Sequence, residues 1–351
     1  MGDNRGRDLL PTMQVSTMRP LRHGVSVVIP AYNSEASLGP LIERLLPVLR
    51  ARFKVFEVIF VNDASRDGTW SRIESMAREH PELVGINLMR NFGQHAALLC
   101  GIRAARYSVT VTMDDDLQHP PEELPLLLAR LDEGFDVVYG TPQAEPHGLL
   151  RGLASKITKL ALQSAIGAET ARHASAFRAF RTELREAFRD YRSSFVSIDV
   201  LLTWGTTRFA SVKVRHDPRT LGTSNYTFRQ LARHALNMMT GFSTMPLQVA
   251  SVLGFALTLF GFAILMYVVG RFVLEGGSVP GFPFLASIVA IFSGAQLFCL
   301  GIIGEYLARM HVRMMDRPPY LIHTTTERDP GRETAPAARS SPTCTSLESK
   351  A

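Results

Sequence analysis

Three consecutive carboxylates, then an amide and an imidazole, make up Asp114-Asp115-Asp116-Leu117-Gln118-His119, which closes an alternating apolar run starting at Tyr107. That run predicts a buried strand delivering ligands at its carboxyl end. If strand geometry persists, Asp114 and Asp116 share a face and Gln118 is the next residue on that side. Hard oxygen donors grouped in this way suit Mg²⁺ or Mn²⁺ rather than zinc. Pro120 and Pro121 then open a helix, with Glu122 and Glu123 in a first turn that favours acidic side chains. The plain alternative is a solvated acidic loop that only caps this helix.

Further along, cationic groups recur at Arg151, Lys156, Lys159, Arg172, Arg178, Arg181, Arg215 and Arg219. Arg178 lies within the apolar segment Ser175–Phe180, where an unpaired guanidinium is costly and a phosphate or carboxylate partner is expected. Arg219 precedes a turn-like stretch that contains Gly222, Thr223, Ser224 and Tyr226.

These groups need a scaffold. From Gly24 onward, short β-branched runs alternate with helical stretches, the pattern of a parallel sheet wrapped by helices. The strands are expected at 25–29, 55–61, 84–88, 109–113 and 136–139, with helices at 36–50, 69–79, 93–106 and 122–133. Such sheets bind ligands at the carboxyl ends of their strands. Three of those ends are polar: 30–33, 62–65 and the acidic cluster. No GxGxxG follows the first strand and no GxxxxGK[ST] occurs, which argues against dinucleotide dehydrogenases and P-loop ATPases.

The chain has 351 residues, 46% of them hydrophobic, and a net charge of +6. Its mean hydropathy is positive, +0.06, which points to membrane segments. Residues 247–269 and 284–303 are each long and apolar enough to cross a bilayer as a helix. Arg229, Arg233 and His234 precede the first span, and Arg309, His311, Arg313 and Arg317 follow the second. Only Arg271 and Glu275 lie between them, so both ends are expected in the cytoplasm. Just before the first span, Phe228, Leu231, Ala232, Ala235, Leu236 and Met239 recur at helical spacing, as in a helix lying in the lipid interface. Charge is spread along the chain without a dense basic tract, so no nucleic-acid partner is expected. Cys100, Cys299 and Cys344 form no CxxC pair and read as reduced thiols. The first two dozen residues lack the apolar core of a signal peptide.

The segments 27–33 (Val-Val-Ile-Pro-Ala-Tyr-Asn), 61–69, 90–95, 113–123, 222–226 and 304–309 together resemble the family 2 glycosyltransferases that act on polyprenyl phosphates. The resemblance implies a GT-A fold, Rossmann-like and mainly parallel, with a C-terminal two-helix transmembrane hairpin. Composition, periodicity and resemblance together divide the chain into a disordered tail over 1–24, a catalytic domain over 25–223, a juxtamembrane helix over 224–245, two spans and a basic segment over 246–322, and a disordered tail over 323–351. The implied reaction moves a sugar from a nucleotide sugar, UDP-linked as a first guess, to a polyprenyl phosphate with inversion, at the cytoplasmic face of the plasma membrane. Carried over by residue, Pro30, Ala31, Tyr32 and Asp63 hold the nucleotide. Asp114 contacts the sugar nucleotide, while Asp116 and Gln118 ligate the metal. Arg151, Ser155, Arg178, Arg219 and Tyr226 gather around phosphates, with Arg178 joining Asp114 and Asp116 as catalytic. Homo-oligomers, tetramers by resemblance, are a further implication. This sequence departs from many members at Ser34, where glutamate is frequent, and at Pro142 and Gln143, where arginine is common. Arg172 stands in an often acidic position, and Asn225 replaces a frequent lysine. Two other readings are a processive polysaccharide synthase, whose Gln-x-x-Arg-Trp motif does not occur here, and a catalytically inactive sugar-nucleotide sensor or scaffold.

Overall fold

The computed structural model describes residues 22–143, 174–193, 195–217, 245–275 and 281–326. Its centre is an eight-stranded sheet. The strands are β1 (Arg22–Ala31), β2 (Phe56–Asn62), β3 (Leu83–Leu88), β4 (Tyr107–Thr112), β5 (Val137–Pro142), β6 (Arg178–Arg181), β7 (Phe209–Val214) and β8 (Ile322–Thr325). Their spatial order is β7-β5-β6-β4-β1-β2-β3-β8. β1 pairs parallel with β2 and β4, β2 with β3, and β5 with β7. Only β6 and β8 run antiparallel to their neighbours.

The alternation along β1 shows why the sheet is covered on both faces. Val25, Val27, Ile29 and Ala31 join one core with helices α1 (Glu35–Arg52), α2 (Thr69–Glu79) and α4 (Leu124–Asp132). Val28 points the other way, into a second core with α3 (Gln94–Ala104) and α5 (Ile198–Thr203). Gly101 lets α3 lie close on the sheet, since a Cβ there would sit 2.3 Å from a Val28 methyl.

The five expected strands and four expected helices all form, with shifted ends. The exception in form is the stretch after Pro120, which begins as a single 3-10 turn, Pro121–Glu123, before α4. β6, β7, β8 and α5 are additions. One expectation is corrected at each terminus: Arg22–Gly24, assigned to a disordered tail, start β1, and His323–Thr325, assigned to the other tail, lie in β8. β8 forms because the outer edge of β3 otherwise presents unpaired backbone groups. Met89 N–H donates to Leu321 O (2.9 Å), Thr326 N–H to Gly85 O (2.9 Å), and Gly85 N–H to Thr326 Oγ1 (2.8 Å).

Two long helices, Met245–Glu275 and Phe282–Met314, stand outside the sheet. They pack antiparallel, with Cys299 Sγ 3.7 Å from Ala250 O and the Phe292 ring against Gly261, where a Cβ would come within 2.9 Å of it. The first contains Leu247–Arg271, 25 residues of mean hydropathy 2.4, long and apolar enough to cross a membrane. The expected interfacial helix around 226–239 lies outside the described residues.

Candidate active site

Backbone turns at the carboxyl ends of β1, β2 and β4 enclose one cleft of about 280 Å³. Each turn contains a non-glycine residue with positive φ: Asn33 (54°), Ala64 (53°) and Leu117 (61°). Such residues cost about 1–2 kcal/mol each and persist only where the surroundings determine them. At Asn33 the determinants are visible: its N–H donates to Ser65 Oγ (2.9 Å) and its Oδ1 accepts from Arg66 N–H (2.9 Å). Glu35 Oε2 also accepts from Gly68 N–H at 2.9 Å. Its carboxylate therefore ties the loop after β1 to the loop after β2. Ser34 takes a smaller part, its hydroxyl accepting from Tyr32 N–H at 3.1 Å.

Of the residues expected from the sequence, Pro30, Ala31, Tyr32, Asp63, Asp114 and Asp116 all line this cleft. Tyr32 is 45% exposed at the rim of the cleft. Asp63 is only 3% exposed, and both its oxygens are engaged: Oδ1 accepts from Phe92 N–H (2.7 Å) and Oδ2 from Gly93 N–H (2.8 Å). Burial raises its pKa above the usual carboxylate value, and the two amides oppose that rise. Asp63 thus fixes the turn that starts α3. Gln94, the next residue, donates from Nε2 to Asp114 Oδ1 at 2.6 Å.

The acidic cluster differs from the strand-like arrangement expected of it. β4 ends at Thr112, so Asp114 and Asp116 sit in a loop and no alternation aligns them. Instead, Asp116 Oδ1 accepts from Gln118 N–H at 3.1 Å across the left-handed Leu117, a local side-chain turn. Gln118 is not among the residues lining the cleft, and its carbonyl accepts from Asp217 N–H at 2.9 Å. The same contact brings His216 over His119, with ring centroids 5.0 Å apart and edge to face. Burial, then His216, lowers the His119 pKa to about 4, against an opposing pull from Asp116.

Arg178 has the carboxylate partner that its apolar setting demanded. Only 2% exposed, it reaches Asp199 Oδ1 through Nη1 at 2.5 Å. Tyr139 Oη donates to the same oxygen at 3.0 Å. It does not line the cleft. Arg151, Ser155, Arg172, Arg219 and Tyr226 lie outside the described residues.

Sequence reasoning missed Asn91, Gly93, Gln94 and Asp115 as cleft residues. The signal for the first three was the polar, glycine-containing break Arg90–His95 between β3 and α3. Gly93 has φ 94°, a left-handed conformation that favours glycine.

The glycosyl transferase family 2 signature matches residues 26–189, which carry every loop of the cleft. An undecaprenyl-phosphate 4-deoxy-4-formamido-L-arabinose transferase from Shewanella sediminis is 34% identical over 301 residues, covering 85% of this chain and 91% of the relative. One of the same description from Pseudomonas paraeruginosa is 33% identical over 309 residues, 87% of this chain and 91% of the relative. Among solved structures, a glucosyl-3-phosphoglycerate synthase from Mycobacterium tuberculosis aligns with a TM-score of 0.48 at 20% identity, over 62% of this chain and 76% of that one. Identity sustained along nearly the whole length of the transferase relatives makes this chain a member of glycosyl transferase family 2.

Proposed function

We propose that this glycosyltransferase moves a sugar from a nucleotide sugar to a polyprenyl phosphate at the cytoplasmic face of a membrane. The observation that carries the reading is the single cleft in which Tyr32, Asp63, Asp114 and Asp116 meet. Pro30, Ala31 and Tyr32 supply an apolar edge and an exposed ring for a nucleobase, and Asp63 holds the opposite wall in place. Asp114 and Asp116 face the donor's sugar and diphosphate.

A divalent cation fits this donor set. Among the described residues no three acidic or histidine groups by themselves form a metal cage. Mg²⁺ favours one or two carboxylates completed by substrate phosphates and water, and oxygen-only donors equally suit Mn²⁺. Asp116, with Asp114 beside it and Gln118 two residues on, would hold the ion, which when bound neutralises charge on the leaving diphosphate. Gln94 keeps the Asp114 carboxylate turned into the cleft. Arg178 enters as a brace beneath the site rather than as a phosphate ligand, since Asp199 already matches its charge. Arg151, Ser155, Arg219 and Tyr226 are the proposed acceptor-phosphate group.

Both long helices cross the bilayer in this reading, with the catalytic domain on the cytoplasmic side. Support comes from the first helix's length and hydropathy, and from the basic residues flanking the pair. The sustained relatedness to enzymes described as undecaprenyl-phosphate transferases supports the acceptor class. The test is purified full-length protein with undecaprenyl phosphate, Mg²⁺ or Mn²⁺ and a panel of nucleotide sugars, read by mass spectrometry of the lipid fraction. A sugar-bearing lipid with release of nucleoside diphosphate is expected. Nucleotide-sugar turnover unaffected by the lipid would refute the acceptor assignment.

A further inference from the structure

A second cavity, of about 450 Å³, opens where the catalytic domain meets the end of the second long helix, and it shares no residue with the cleft. Its chemistry comes from Glu186, Asp190, Tyr191, Arg192, Trp204 and Arg313. Arg313 belongs to the last turn of the long helix, and the others to the catalytic domain.

Three observations define what fits. Charges of both signs line the cavity. Arg192 is paired with Asp316 at 3.1 Å and Glu186 with Arg189 at 3.1 Å, whereas Asp190 has no ion-pair partner among the described residues. Trp204 is 53% exposed, its indole edge to face with Tyr191 at 5.5 Å between centroids. An aromatic group half out of the protein beside a basic helix end matches the side chains that settle at headgroup depth. Finally, Ile303, Leu307, Met310 and Met314 are all exposed and recur at one-face spacing. They form an apolar row that ends on the turn that carries Arg313, beside the cavity's rim and not within its lining.

We propose that this cavity docks the headgroup of an amine-bearing zwitterionic phospholipid, its phosphate at Arg313 and Arg192 and its ammonium between Asp190 and the face of Trp204. Its acyl chains follow the row Ile303, Leu307, Met310 and Met314. The proposal rests on the reading that the long helices cross a bilayer. An anionic headgroup brings negative charge without an amine and meets Glu186 and Asp190 unfavourably. A choline headgroup keeps the attraction to the indole but has no N–H to donate to Asp190.

The experiment uses full-length protein in vesicles of equal parts phosphatidylethanolamine and phosphatidylglycerol, extracted mildly, with retained lipid counted by native mass spectrometry. Wild type is expected to retain phosphatidylethanolamine over phosphatidylglycerol by about fivefold, the size of one ammonium–indole contact plus one exposed ion pair. Asp190→Asn and Trp204→Ala each remove one of the two contributions and bring the ratio down to about twofold, and the double variant brings it to parity. Asp190→Asn is isosteric at an exposed position, so a folding defect does not confuse its result. Equal retention of the two lipids by wild type overturns the proposal, as does an unchanged preference in both variants. Loss of self-association in Trp204→Ala with lipid retention intact assigns the surface to a second copy and overturns it too. Vesicle flotation separates the two levels of inference. Protein that fails to float removes the membrane reading itself, while protein that floats without lipid preference removes only this site.

Discussion

Replacing Arg178 by alanine separates a brace from a phosphate ligand. In the folded chain its guanidinium is 2% exposed and bonded to Asp199, whose carboxylate otherwise has, among the described residues, the Tyr139 hydroxyl. Burial and the Asp199 charge hold that phenol well above its usual pKa, so it remains a hydrogen-bond donor throughout the accessible range. Arg178→Ala leaves a largely buried carboxylate without its cation, and removing one side of such a pair costs about 3–5 kcal/mol. At about 2–4 °C per kcal/mol for a domain of this size, the melting temperature should fall by about 6–20 °C. The double change Arg178→Met with Asp199→Leu removes the orphaned charge as well, and should recover most of that loss. Tryptophan fluorescence during heating in detergent measures the shift, and KM for the lipid phosphate is measured on the same samples below the transition. A melting temperature within about 2 °C of wild type, combined with a strongly raised KM, would refute the brace and return Arg178 to the substrate.

Asp116→Ala should abolish transfer by on the order of a hundredfold or more while the protein stays folded. Turnover above about half of wild type at saturating metal would remove the acidic loop from the chemistry. The depressed pKa of His119 means that the folded state prefers the neutral ring. That stabilisation is complete above the ordinary value of 6.5 and is lost as pH falls towards about 4. Metal-free protein should therefore lose stability across that window, and His119→Gln should flatten the loss; identical pH profiles of melting temperature would contradict it. Truncation after Arg317 removes β8 and bares the edge of β3, so it should promote aggregation, whereas truncation after Arg328 should be neutral. Size-exclusion profiles of the two truncations decide the point.

The strands most legible from sequence, such as β2 and β3, have both faces buried. β2 shows seven buried residues in seven, and such a run cannot be mistaken for a loop. β6 is only Arg-Ala-Phe-Arg, and its flanking charges hide a strand whose first arginine is neutralised from α5, twenty-one residues away in sequence. β8, Ile-His-Thr-Thr, is polar because it is an edge, and its pairing with β3 spans most of the chain. In the site, residue identities were legible while their geometry was not. The carboxylates of the acidic loop were evident, but the turn at Leu117 depends on one backbone angle that alternation does not encode. The demand for a partner at Arg178 followed from its apolar setting, yet only the fold could select a carboxylate over a phosphate.

The strand order has a mechanical consequence. Among the described residues, β7 is the last sheet strand before the two long helices and forms one edge of the sheet, and β8, the first after them, forms the other. With strands about 4.8 Å apart, those attachments stand on the order of 34 Å from each other. A body hung from a single strand swings about that point, whereas one hung from both margins resists tilting along the line that joins them. If the helices are seated in a bilayer as proposed, the height of the cleft above the membrane is tied to both margins of the sheet. On that reading, the reach to an acceptor headgroup depends on how the backbone is threaded as well as on the cleft itself.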